Sequence, residues 1–267
     1  MSGKALLAAF LLGGLLAVAA VGQPPPDAQL VRVARVIDGD TVTLLGSHDY
    51  VRYLGINTPE AGEPYYYVAT KVNRELVLRR DVYLEFGPQH RDGYGRLLAY
   101  LWVQVDGDWI LVNEELLRRG VAKLFVLWPK EEKYYERFLR AVTLAQVEKR
   151  ALWSKFKDPL PLATVEADPV PYLTEAVTVE FSAGRVEPSE TGWTIWAEGS
   201  RYGFHVDVSQ QVWAQLGLSP EKLVGKRLSV TGELRWDRLF HGPFISVIIP
   251  EQWGRSEEQQ AGRSDRI

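Results

Sequence analysis

The stretch Val36-Ile37-Asp38-Gly39-Asp40-Thr41-Val42 sits between two apolar runs, Leu30 to Ile37 before it and Thr41 to Leu45 after it. Asp-Gly between β-type runs marks a tight hairpin, so the chain opens on two antiparallel strands. Outward from it, Tyr50 to Ile56 reads as a third strand. Asn57-Thr58-Pro59 ends that strand, because proline lacks a donor and fixes φ. Val68, Val72 and Leu76 recur four residues apart and predict a helix through Leu78. Asp81 to Phe86 and Arg96 to Val105 follow as strands, joined by the turn Asp92-Gly93-Tyr94-Gly95. A helix over Val112 to Arg119 stops at Gly120, which suits a left-handed cap. A longer one spans about Glu131 to Arg150, with Tyr135, Phe138, Val142 and Ala145 as its inward stripe. Five strands with a helix between the third and fourth predict a five-stranded OB-fold barrel over 30–157.

Pro159, Pro161, Pro169 and Pro171 then crowd one stretch, and 158–172 reads as a linker. Beyond it Ala176 to Ala183, Trp193 to Glu198 and Tyr202 to Val208 read as strands, and Gln210 to Leu216 as a helix. Arg227 to Trp236 and Pro243 to Ile249 complete the set. The strand-helix-strand order repeats, so 173–253 is expected to be a second small OB-like barrel. The whole chain is then mainly β with α, an α+β fold. The polar segment 254–267 reads as a disordered tail.

At the other end, Lys4 precedes an uncharged run from Ala5 to Gly22 with small residues at Ala17-Val18-Ala19. This is the pattern of an export signal over 1–22, and the alternative is an amino-terminal membrane anchor through residues 5–22. Either reading places the rest of the chain outside the cytoplasm, secreted or membrane-anchored with the barrels outside. Residues 23–29 form a Pro-rich linker.

Composition narrows the chemistry. The 267 residues are 46% hydrophobic and 24% charged, an ordinary globular mixture. No cysteine is present, which excludes disulfides, thiol catalysis and Cys-based zinc sites. The four histidines, His48, His90, His205 and His241, form no helical pair, so any metal should be a hard ion held by oxygen. Net charge is −3 overall, but 30–157 carries 20 Lys/Arg against 17 Asp/Glu and the remainder 11 against 17. The first barrel is the one suited to a phosphate-bearing ligand.

Three stretches could carry chemistry: Asp38-Gly39-Asp40; Arg52 with Asn57-Thr58-Pro59-Glu60; and Asp92-Gly93-Tyr94-Gly95-Arg96. Each has an ordinary explanation as a turn, a solvated strand residue, or a helix start capped by Thr58. Together they supply what phosphodiester hydrolysis requires: a hard cation, a base for water, and positive donors for the charge of the transition state. Asp40, the Asn57 side-chain oxygen and the Thr58 carbonyl suit Ca²⁺. Glu60 supplies the base, while Arg52 and Arg96 supply always-charged forks that match phosphate.

This combination resembles the staphylococcal nuclease (thermonuclease) family over Leu30 to about Lys157, including Val112-Asn113-Glu114-Glu115 through Lys123 and the closing Ala151-Leu152-Trp153-Ser154. The resemblance implies Asp40 and Thr58 as metal ligands, Asp38 as a supporting carboxylate, Glu60 as catalytic glutamate and Arg52 and Arg96 as the two catalytic arginines. It implies Tyr94 as a substrate-contacting tyrosine, with Trp128 keeping an aromatic at a second substrate position. It also implies cleavage of DNA and RNA to products ending in a 3′-phosphate, with Ca²⁺ as cofactor.

Departures are specific. Asn57 stands where an aspartate is usual, so weaker calcium binding is expected. The loop Ala61 to Tyr67 lacks the usual lysines, Gly93 replaces a lysine, and Val126 replaces a tyrosine, so the salt dependence of binding should be shallower. Tyr65 to Tyr67 would either stack on bases or simply start a helix. A nuclease-like module that binds nucleic acid or protein without hydrolysis is the competing reading, but Arg52, Glu60 and Arg96 are all retained. The second barrel is aromatic-rich, with Trp193, Trp196, Tyr202, Phe204, Trp236 and Phe240. Its acidic balance favours a structural or substrate-positioning role over direct nucleic-acid binding.

Overall fold

A computed structural model describes residues 22–126 and 132–254. The leader expected over 1–22 and the tail over 254–267 lie outside these residues save for Gly22 and Gly254, and Trp128 lies outside as well. Among the described residues no helix is long and apolar enough to cross a membrane.

In chain order the first barrel comprises β1 (Gln29–Val36), β2 (Thr41–Leu44), β3 (Tyr50–Tyr53), the short β4 (Ile56–Asn57), α1 (Tyr66–Val77), β5 (Asp81–Arg91) and β6 (Leu97–Val105). Antiparallel pairing runs β3-β2-β1-β5-β6, and β6 closes onto β3 in parallel. This is the five-stranded OB barrel. β1 buries Val33 and Val36, three residues apart, because a bulge between Val33 and Arg35 resets its alternation. Three elements complete this half: β7 (Asp108–Leu111) on the edge of β6, α2 (Val112–Arg118), and β8 (Lys123–Leu124) paired with β4. α3 (Tyr135–Val147) then packs on α2, turning Phe138, Val142 and Ala145 inward.

Two sequence expectations shift here. Leu54 and Gly55 break the third strand into β3 and β4. The buried face of α1 is Ala69, Asn73, Leu76 and Val77, while Val68 is exposed. A polar residue occupies this stripe because both ends of the Asn73 amide are satisfied. It accepts from the Tyr53 hydroxyl at 2.9 Å and donates to the Asp38 carbonyl at 3.0 Å.

The Pro-rich stretch 158–172 is a correction: it is not a plain linker. β9 (Leu160–Pro161) pairs in parallel with a strand of the second barrel, and α4 (Leu162–Ala167) buries Leu162 and Val165 in that barrel's core. The Glu166 carboxylate accepts from the Ser200 hydroxyl and the Arg201 and Tyr202 N–H groups. The barrel continues with β10 (Ala176–Ser189), β11 (Gly192–Ala197), β12 (His205–Ser209), α5 (Gln210–Gln215) and α6 (Pro220–Leu223), then β13 (Arg227–Glu233), β14 (Arg235–Asp237) and β15 (Gly242–Val247). Antiparallel pairing runs β13-β10-β11-β12, β12 pairs with β15 in parallel, and β15 with β14 antiparallel. Only Leu234 separates β13 from β14, so the circuit repeats that of the first barrel. The second OB-like barrel is present.

α3 joins the two. Gln146 donates to Glu233 at 3.3 Å and the Lys149 ammonium donates to the Ala176 carbonyl at 2.9 Å. Gly120 ends α2 in the left-handed region, φ +72°, and a Cβ there would lie 2.6 Å from the Arg150 carbonyl oxygen. Left-handed strain for a non-glycine residue costs about 1–2 kcal/mol before that clash is added. Gly120→Ala should therefore lower Tm by at least about 4 °C, read by thermal circular dichroism. An unchanged Tm would show that the α2–α3 junction yields freely.

Candidate functional site

The site grows from the β1–β2 turn. Asp40 is only 5% exposed, and its carboxylate is surrounded by donors. Thr58 gives its N–H at 2.8 Å and its hydroxyl at 2.9 Å to Oδ2. Arg52 Nε lies 3.1 Å from Oδ1, which also accepts the Thr41 hydroxyl at 3.2 Å. Asp38 shapes the turn by accepting the Asp40 N–H at 3.0 Å. Gly39 is required by close approach, since a Cβ would meet Thr58 Oγ1 at 2.6 Å and Ala69 Cβ at 2.8 Å. Thr58 thus serves the Asp40 carboxylate instead of capping a helix. Burial pushes the Asp40 carboxyl up, Arg52 pulls it back, and the Asp38 charge raises it again, with the net result above the usual range.

Arg52 sits opposite Thr41 in the β2–β3 ladder, which aims it at this turn. Its Nη2 donates to Asn57 Oδ1 at 2.9 Å and its Nη1 to the Tyr53 carbonyl. The guanidinium therefore bridges Asp40 and Asn57. Arg96 comes from the far side, at the start of β6. Its Nε donates to Asp92 Oδ2 at 2.7 Å, and Asp92 Oδ1 accepts the N–H groups of Tyr94 and Arg96. Arg52 and Arg96 line one cavity of about 440 Å³ together with Tyr100, Phe125 and Glu132. Tyr94 projects from the loop tip, 89% exposed, its ring centre 5.6 Å from the Arg96 guanidinium carbon.

Glu60 lies on the exposed loop between β4 and α1, and its N–H donates to the Glu63 carboxylate at 2.8 Å. Among the described residues its own carboxylate has no partner. Asn57, Thr58 and Pro59 line a second cavity of about 640 Å³ with Tyr65 and Lys123. Of the three loop tyrosines, Tyr65 bonds the Ser154 hydroxyl at 2.9 Å, and exposed Tyr67 meets the Tyr66 ring edge-on at 5.1 Å. The structure thus joins Asp38, Asp40, Arg52, Asn57 and Thr58 directly, and brings Arg96 to face Arg52. Trp128 falls outside the described residues. Sequence reading missed Asp92 as the holder of Arg96; its signal was an aspartate two residues before Tyr94 in a Gly-rich turn, where Asx bonds form. Thr41 and the Tyr53–Asn73 pair behind the turn left no such signal.

A closed OB barrel thus carries two arginines on one cavity beside a buried carboxylate. A family model described as staphylococcal nuclease homologue matches residues 50–155. The chain is 42% identical over 134 residues to the SPbeta prophage-derived endonuclease YokF of Bacillus subtilis (strain 168), covering 47% of this chain and 44% of that one. It is 40% identical over 134 residues to endonuclease YncB of the same organism, covering 47% and 62%. It is 34% identical over 134 residues to the thermonuclease of Staphylococcus hyicus, covering 47% and 76%. The chain therefore spans less than two thirds of the two Bacillus relatives, but three quarters of the staphylococcal one. It belongs to the staphylococcal nuclease homologue family.

Asp92 yields a test of how Arg96 is held. Partial burial pushes its carboxyl up, but the Arg96 guanidinium and two N–H donors outweigh that and hold it below the usual range. Its contribution is therefore full above the ordinary carboxylate value and is lost as pH falls through the depressed one. Wild type should melt above Asp92→Asn at neutral pH, with the two Tm curves converging below about pH 4. Parallel curves throughout the acid range would show that this charge does not hold the loop.

Proposed function

We propose that the first barrel is a calcium-dependent nuclease hydrolysing phosphodiester bonds of DNA and RNA with low sequence preference. The observation that carries this is the convergence of Arg52 and Arg96, from different strands, on one cavity beside buried Asp40. Two planar cations on one cavity match the oxygens of a phosphate and the extra charge they gain as a water attacks. Glu60, whose carboxylate has no partner among the described residues, takes the proton from that water. Expulsion of the 5′-oxygen leaves the phosphate on the 3′ carbon. Asp38 fixes the turn that presents Asp40. Tyr94 offers its ring to a base, and the family resemblance assigns Trp128 the same role.

The donor set fits a hard cation. Asp40, Asn57 and Thr58 supply one carboxylate, one amide and one carbonyl oxygen, and a positive guanidinium already lies between Asp40 Oδ1 and Asn57 Oδ1. Among the described residues no three His, Cys, Asp or Glu side chains converge, so Asn57 and a carbonyl would complete the set. Calcium bound there supplies positive charge to a phosphoryl oxygen. We further propose that residues 1–22 direct the chain out of the cytoplasm, either cleaved or retained as an anchor.

Two measurements test this reading. Single-stranded DNA should be degraded in Ca²⁺ but not in EDTA, with Glu60→Ala slower by about 10²–10⁴-fold. Binding without cleavage at millimolar calcium would instead support a non-catalytic module. A calcium titration of Asn57→Asp should show tighter binding than the parent, because a charge returns to the site. Equal affinity would remove Asn57 from the ligand set.

A further inference from the structure

We propose that the outer face of the second barrel binds single-stranded nucleic acid, stacking bases on its rings and holding phosphates with its arginines. This rests on the nuclease reading, because a strand held there is the strand supplied to the first barrel. The face is written into the strand register. Arg185 of β10 lies opposite Trp196 of β11, Trp196 opposite His205 of β12, His205 opposite Phe244 of β15, and Phe244 opposite Arg235 of β14. Directly opposed residues share a side of a sheet. Their neighbours Ile195, Val206 and Ile245 are wholly buried in the core, so this row of five lies on the opposite side of the sheet, where Trp196 and Phe244 are half-buried and His205, 1% exposed, is covered by Trp196, Phe240 and Phe244.

The rings form a contiguous surface. Trp196 and His205 have centroids 4.6 Å apart, and His205 stacks on Phe244 at 5.3 Å and 8°. Phe240, from the tip of the β14–β15 hairpin, meets Trp196 edge-on at 5.1 Å. Tyr202 and Trp236 form a separate pair with centroids 6.1 Å apart. Trp236, Leu239 and Phe240 are exposed. Rings on the second and third strands of an OB barrel, next to the loop between the fourth and fifth, occupy the surface where such barrels take oligonucleotides.

The arginines left without a carboxylate favour a nucleic acid over an uncharged polymer. The carboxylates on the face keep their charge, but each accepts from a donor of the same barrel. Glu187 takes the Trp196 N–H at 2.8 Å and Arg185 at 3.3 Å. Asp207 takes the Thr194 hydroxyl at 2.7 Å, and Asp237 takes the Leu239 and Phe240 N–H groups. Arg201 rests on the Tyr202 ring, 5.0 Å from its centre, and among the described residues neither it nor Arg238 pairs with a carboxylate. The cations also lead toward the first site. Arg235, at the end of the row and paired with Glu233 at 3.1 Å, lines a cleft of about 460 Å³ between the barrels together with Lys123. Lys123 in turn lines the cavity at Asn57 and Thr58.

The test uses the full chain carrying Glu60→Gln in EDTA, with a fluorescein-labelled 30-nucleotide oligothymidylate followed by anisotropy. Adding Trp196→Ala and Phe240→Ala should weaken Kd by about tenfold or more. Because Trp196 also anchors Glu187, a second pair guards against misfolding. Arg201→Gln with Arg238→Gln, both at the surface, should flatten the slope of log Kd against log salt by about 0.7 per arginine. In the Glu60 background restored to wild type, both pairs should cleave a three-nucleotide substrate at the parental rate. Failure of the parent to cleave that substrate would sink the nuclease reading while leaving the binding data standing. Unchanged Kd and salt slope in both pairs would overturn this proposal, as would quenching of tryptophan fluorescence by a neutral oligosaccharide with none by DNA.

Discussion

A carboxylate with a twentieth of its surface exposed must replace its water with protein donors, or the fold bears the cost. Asp40 does so with the Thr58 N–H and hydroxyl, the Thr41 hydroxyl and Arg52. Each donor lies on a different segment: β2, β3, and the loop that follows β4. One buried charge therefore gathers three consecutive segments of the first barrel at the β1–β2 turn. Gly39 makes this gathering possible, because no side chain stands between the turn and Thr58. The same gathering leaves Asn57 beside Arg52 and releases Glu60 into solvent two residues later. The geometry of the candidate site is thus a consequence of satisfying a single anion.

Two barrels of identical strand circuit show how little topology decides by itself. In the first, the turn between the first two strands carries Asp38 and Asp40, and the third strand carries Arg52. In the second, the matching turn carries Glu190 and Thr191, with Gly192 pressed against the Val208 carbonyl. Among the described residues no cation there faces a buried acid, and the corresponding strands carry Trp196 and His205 on the side away from the core instead. One circuit carries two arginines on a cavity, and the other a cluster of aromatic rings. The difference lies in a few side chains at equivalent places.

The order of elements was legible because strand alternation, Asp-Gly and the caps at Gly120 are local signals. The helix face of α1 was not, since Asn73 is a core residue only by virtue of Tyr53, twenty positions away. Proline crowding at 158–172 suggested a tether for the same reason in reverse. Proline forbids a central strand, yet β9 needs only one edge, and α4 begins directly after Pro161. The site residues were readable as types and spacings. Which atoms they would occupy was not: Arg52 was expected to await a phosphate, whereas it also binds Asp40, Asn57 and the Tyr53 carbonyl.

That ordered segment changes how the two halves can work together. A flexible tether would leave the second barrel to find the first by diffusion. Here 158–172 belongs to the second barrel, and α3 meets it through Gln146 and Lys149. Burial lowers the Lys149 ammonium to about 8, so the joint tolerates that charge at some cost near neutrality. For a base with a depressed value, the penalty is complete below the folded pKa and vanishes above the ordinary one. The ammonium is met there by the Ala176 carbonyl at the first residue of β10. This contact ties the start of a strand in one half to the turn just after α3 in the other. The aromatic rings and the Arg52–Arg96 cavity are thereby carried on two barrels joined by packed structure and not by a free tether.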